Sequence, residues 1–152
     1  MKYLKIFFIS MLPLVELRLA MPYARVMGLP FWPSLIVAVL GNMLPVPFIY
    51  YLAHKILVAG VEWPIFGSFA KFCLKRGEIA GRKIEAKAGL GLYIALFLFV
   101  AIPLPGTGAW TGTLGASMLQ LDFKKTVMAV CCGIIAAGLL LWFVTSGLIR
   151  LA

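Results

Sequence analysis

Apolar stretches of unequal length divide the chain, and their lengths set the first expectation. Phe31 to Leu57 is 27 residues with no charge before Lys55, and Val127 to Ile149 is 23 residues with none, bounded by Lys124 and Lys125 on one side and Arg150 on the other. A helix needs about 20 apolar residues to cross the hydrocarbon core, so both are predicted to span it. Two other stretches are too short to cross alone: Leu4 to Val15 stops at Glu16, and Leu90 to Ile102 stops at Pro103-Leu104-Pro105-Gly106-Thr107-Gly108. Each resumes past its break, over Leu17 to Leu29 and Ala109 to Leu121. The pattern is a half-helix, a turn and a second half-helix, as in a re-entrant hairpin.

An offset of 90 lays Pro13-Leu14 on Pro103-Leu104, each pair closing a short apolar run, and a long span follows in each half. Hairpin then helix, seen twice, is the order of an internal repeat. The predicted fold is an all-α integral membrane protein of one domain: a first repeat over 1–57, a basic connecting segment over 58–89, and a second repeat over 90–152. If neither hairpin crosses, the halves are inverted, as in many secondary transporters. The competing arrangement has four ordinary crossings with both termini inside. It accounts better for Lys2 and Lys5 but puts Lys124 and Lys125 outside.

Composition agrees with a bilayer as solvent. Of 152 residues, 63% are apolar and 12% charged, with a mean hydropathy of +1.04, against about a quarter charged in soluble domains. Fourteen Lys and Arg against five Asp and Glu give +9. Seven of the basic residues (Lys55, Lys71, Lys75, Arg76, Arg82, Lys83, Lys87) fall in the central stretch, as the positive-inside rule expects of a cytoplasmic loop, and this argues against nucleic acid as a partner. Ile65, Phe66, Phe69, Phe72 and Cys73 recur there at helical spacing, which fits an amphipathic helix on the inner leaflet. Gly67, Gly77 and Gly81 fit a solvated loop equally well. Lys2 and Lys5 ahead of an apolar run mimic a signal peptide, but Glu16 and Arg18 stand where a cleavage region is small and neutral. Cys73, Cys131 and Cys132 have no CxxC spacing, so neither a disulfide framework nor a metal site is expected.

Glu16 and Arg18 are the sharpest chemical signal, because ionisable groups at membrane depth are expensive and mark a pathway or an internal pair. Two residues apart, they face opposite sides of a continuous helix; if the chain unwinds there, both can face one cavity. Glu16 then binds and releases a proton or cation, and Arg18 holds an anionic group or pairs with Glu16. The bland alternative is a structural ion pair, or a helix end close enough to the surface to be wet. At the second break two prolines remove donors and two glycines permit a tight turn. The half-helix after it offers free N–H groups with Thr107, Thr111 and Thr113, a site suited to anions. A plain surface loop is the alternative. Asn42, near Gly41, Pro45 and Pro47, can serve as a polar ligand at a kink or as interhelical glue. Ala129, Gly133 and Ala137 place small residues four apart, favouring close packing against the other half or a second copy. Trp110 reads, like the other tryptophans, as interfacial or packing. Arg25 joins Glu16, Arg18 and Asn42 in the expected substrate- and proton-binding set, with Pro105, Gly106, Thr107, Gly108 and Thr111 from the second break. No nucleophile–base pair, metal cluster or phosphate loop is visible, so neither a cofactor nor an enzyme is expected.

Ser10-Met11-Leu12-Pro13-Leu14-Val15-Glu16-Leu17-Arg18 with Pro22, and Pro103-Leu104-Pro105-Gly106-Thr107-Gly108-Ala109-Trp110-Thr111-Gly112, resemble the two signatures of the small multidrug export proteins. That family is in turn similar to the DedA (VTT-domain) superfamily. The resemblance covers nearly the whole chain. It implies two inverted repeats, each a re-entrant hairpin plus a spanning helix, often dimeric, in a prokaryotic inner membrane. It also implies movement of lipid phosphates dependent on the proton gradient. Glu16 and Arg18 match the acidic and basic pair of the first signature; Gly106 and Gly108 stand uncharged in the second. The expected activity is proton-linked transport of an amphipathic or lipid-phosphate substrate, with export of cationic drugs as runner-up and a non-transporting scaffold as the reading from another class.

Overall fold

The computed structural model describes residues 1–12, 15–62, 64, 67, 68, 71, 75, 89–104 and 107–151. Pro13, Leu14, Pro105 and Gly106, and most of the basic segment proposed as an amphipathic helix, lie outside the described residues. The elements are α1 (Lys2–Met11), α2 (Glu16–Val26), α3 (Phe31–Met43), α4 (Pro45–Gly60), α5 (Gly89–Ala101), α6 (Ala109–Met118) and α7 (Phe123–Leu151). All are helices, and two stretches are long and apolar enough to cross a membrane: Phe31–Gly60 and Phe123–Leu148. The described residues are thus all-helical, with two stretches consistent with a membrane protein. The first of these stretches is α3 and α4 in sequence, interrupted only at Leu44, where helical backbone persists but Pro45 and Pro47 supply no N–H to the ladder.

The helices pack in a matched way. The first arm of each hairpin lies on the span of its own half, α1 on α3 and α5 on α7, while the second arm lies on the span of the other half, α2 on α7 and α6 on α4. Lipid gives apolar helices little reason to associate, so contact depends on small residues that let backbones approach. Ala20, Ala24, Ala38, Ala116 and Ala137 are all buried. Gly41 meets Ser10 and the Phe7 carbonyl; Gly133 meets Val100 and the Phe97 carbonyl. The small residue Gly133 therefore packs against the first arm of its own half.

The same correspondence recurs in the helix ends. In α2 the Leu29 N–H donates to Ala24 O (3.0 Å) and the Gly28 N–H to Arg25 O (3.1 Å); in α6 the Leu121 N–H donates to Ala116 O (3.0 Å) and the Gln120 N–H to Ser117 O (3.0 Å). Both are Schellman endings, with Gly28 and Gln120 at positive φ. Each pair (Ala24 and Ala116, Gly28 and Gln120, Phe31 and Phe123, Gly41 and Gly133) stands 92 positions apart, whereas Phe7 and Phe97 stand 90 apart.

Ends of elements meet at two poles. α2 closes beside the end of α7, where Arg25 Nε donates to Ser146 Oγ at 3.0 Å, and Phe31 at the start of α3 stacks on Trp142 with centroids 5.0 Å apart. At the other pole Tyr50 donates to Leu121 O and lies 5.2 Å from Phe123. There, too, Tyr93 near the start of α5 accepts from the Asp122 N–H at 3.0 Å. The two long stretches are therefore antiparallel, and α5 begins at the pole where α6 ends.

Candidate functional site

The two breaks meet between the poles. Glu16, the first residue of α2, has φ +48, a left-handed backbone that costs an L-residue energy and persists only where its surroundings enforce it. Its carboxylate is buried, 5% exposed, and crosses to the other half. Oε1 accepts from the Trp110 N–H at 3.0 Å and Oε2 from the Ala109 N–H at 3.3 Å. It thus satisfies the first free amides of α6, where the helix dipole also favours negative charge.

Arg18 reaches across as well. Its guanidinium donates to Leu104 O and to Thr107 Oγ1, and Thr107 Oγ1 donates in turn to Ile102 O (2.8 Å) or Leu104 O (2.9 Å). One turn of α2 therefore grips both sides of the double-proline break: the carbonyl end that precedes it through Arg18, and the amide end that follows it through Glu16. Pairing of the two with each other, one of the expected alternatives, is not seen: both bond across to the second break.

Glu16, Arg18, Thr107, Trp110 and Thr111 form the polar wall of a cavity of about 340 Å³. Ile49, Leu52, Ala53 and Ile56 from α4 and Leu114 from α6 complete its lining with apolar side chains. Four of the expected residues (Glu16, Arg18, Thr107, Thr111) are thus brought together, with Gly108 in contact with Glu16. Pro105 and Gly106 lie outside the described residues. Asn42 and Arg25 do not join them: Asn42 is buried in α3 with Oδ1 unpartnered among the described residues, and Arg25 lies at the pole beside Ser146. The expected anion site at the start of α6 is held by the protein's own carboxylate, and Thr113 is buried away from the cavity.

Sequence reasoning missed Trp110 and the α4 wall. Trp110 Nε1 is buried and has no hydrogen-bond partner among the described residues. The α4 residues sit four or three apart (Ile49, Leu52, Ala53, Ile56), a helical face, but in a uniformly apolar span nothing distinguishes that face from those meeting lipid. Among the described residues no cluster of three His, Cys, Asp or Glu could hold a metal ion.

No curated protein and no solved structure matches the chain. The family model described as "Putative small multi-drug export protein" matches residues 16–140, from the glutamate that ends the first apolar run through the second signature and into the last helix. The chain therefore belongs to the small multi-drug export family, with the coarse transporter-like role that this description carries.

Proposed function

We propose that the chain is a proton-linked carrier whose translocation site is the cavity at the two breaks, and that its substrate is amphipathic with an anionic headgroup, as in a lipid phosphate. The observation that carries this reading is the buried Glu16 carboxylate on the Ala109 and Trp110 amides. Those two N–H groups answer the acid's charge, so the polar wall is left with the positive charge of Arg18, which favours anions. The apolar α4 wall suits a hydrocarbon tail. Glu16 is the titrating group: protonation frees the amides, and a substrate oxygen takes them in its place.

This reading includes two inverted repeats with re-entrant hairpins, in keeping with the DedA-like resemblance. The matched Schellman endings 92 positions apart and the Tyr93–Asp122 bond joining the two ends of the second hairpin support it. A homodimer in a prokaryotic inner membrane is part of the same proposal. The second reading is drug efflux, which the family description favours, with cationic drugs as the class that Trp110 in the wall would suit.

The test uses the full chain in liposomes, comparing a fluorescent polyprenyl phosphate with a cationic dye under an imposed pH gradient. The expected result is movement of the phosphate, abolished by Glu16→Gln while helical content persists. Dye movement alone overturns the anion preference, and normal phosphate movement in Glu16→Gln removes Glu16 from the mechanism. Movement of neither compound favours a scaffold.

A further inference from the structure

A second polar feature lies away from the breaks. At the pole where α2 ends, Arg25 Nε donates to Ser146 Oγ at 3.0 Å and the guanidinium stands 5.2 Å from the centre of the Trp142 ring. These residues, with Phe143 and Gly147, line a cavity of about 390 Å³ that shares no residue with the one at the breaks. We propose that it binds the phosphate headgroup of an anionic membrane lipid.

Comparison with the other pole shows that packing does not require this arginine. The positions 92 from Arg25 and Trp142 are Ser117 and Tyr50. That seam is closed by neutral groups: the Ser117 hydroxyl donates to Tyr50 O at 2.6 Å, and the Tyr50 hydroxyl to Leu121 O. The first half replaces this closure by a cation beside an open cavity. Charge points the same way. The acids among the described residues are Glu16 in the break, and Glu62 and Asp122 near the ends of α4 and α6 at the opposite pole, so no described carboxylate answers Arg25.

The donor set fits a phosphate. With Nε given to Ser146, the two NH2 groups of Arg25 remain as a planar fork, matched to two oxygens of one phosphate. Ser146 accepts from Arg25, so its own proton is available to a third oxygen. The surroundings point to a lipid rather than a free ion. Phe31, Trp32 and Trp142 form one aromatic cluster, with centroids 5.0 Å apart in each contact, as in the belts that sit at headgroup depth. Phe143 is 71% exposed beside the cavity, a surface for an acyl chain. The site stands whatever the break carries.

The experiment measures binding of short-chain phosphatidylglycerol, phosphatidylcholine and glycerol phosphate to the detergent-solubilised full chain by native mass spectrometry. Phosphatidylglycerol is expected to bind at least fivefold more tightly than phosphatidylcholine. Arg25→Gln is expected to bring the two to parity, Arg25→Lys to keep part of the preference, and Lys124→Gln with Lys125→Gln to leave it whole. Ser146→Ala, which keeps the charge, is expected to cost two- to threefold and guards against a misfolded Arg25 variant. Equal binding of the two lipids, or an unchanged preference in Arg25→Gln, overturns the site. Displacement of phosphatidylglycerol by equimolar glycerol phosphate overturns the lipid as its occupant.

Discussion

The carboxylate of Glu16 fills the space that a side chain on Gly108 would need. A β-carbon at position 108 would stand 2.8 Å from the Glu16 carboxyl carbon and Oε1, and closer still to Oε2, while the backbone there has φ +140. The two residues are 92 positions apart, and both have left-handed backbones. One half supplies the acid and the other the room for it. A second carboxylate at position 108 would crowd and repel the first.

Gly108→Ala is accordingly expected to lower stability by about 3 kcal/mol, from backbone strain plus overpacking. Adding Glu16→Ala should relieve only the steric part, giving a favourable coupling of about 1 kcal/mol in a double-mutant cycle. Reversible unfolding in mixed micelles measures both. Additivity of the two changes would mean that the residues do not touch.

The seam glycines give a second expectation. A β-carbon on Gly133 would lie 2.7 Å from Val100 Cβ and 3.0 Å from Phe97 O, and one on Gly41 would overlap Ser10 and Phe7 O. Ala at either position should destabilise by about 1–3 kcal/mol. Gly147 has nothing within 4 Å, so Gly147→Ala should be neutral or stabilising by up to about 1 kcal/mol, through helix propensity. The same unfolding assay ranks them, and equal effects at Gly133 and Gly147 would contradict the close packing of α5 on α7.

Hairpins that turn back place the ends of α2 and α6 on opposite faces of the membrane; four full crossings place them on the same face. Met27 and Gln120 report on this, being exposed at those two ends. On a background without Cys73, Cys131 and Cys132, Met27→Cys and Gln120→Cys are expected to react with an impermeant maleimide from opposite sides of intact spheroplasts. Labelling of both from one side would remove the inverted repeat and with it the proposed carrier geometry.

The division of the chain into spans and broken pieces is written in its hydropathy and punctuation. Segment lengths separated the spans from the broken pieces, because a bilayer demands about 20 residues. The helices begin and end close to where the charges, prolines and glycines stop them, as at Glu16 and Ala109. Glu16, Arg18, Thr107 and Thr111 were legible as site candidates because polar groups inside apolar runs are costly. Pairing was not legible. That Glu16 caps a helix more than 90 residues away, that Arg18 bonds to Leu104 and Thr107 rather than to Glu16, that α4 presents Ile49 to Ile56 to the cavity, and that Arg25 lies at a pole apart from both breaks depend on which arm packs on which span. That choice is made by the approach of small residues across helices, Gly41 on Phe7 and Gly133 on Phe97, a contact between distant positions that one-dimensional periodicity does not encode.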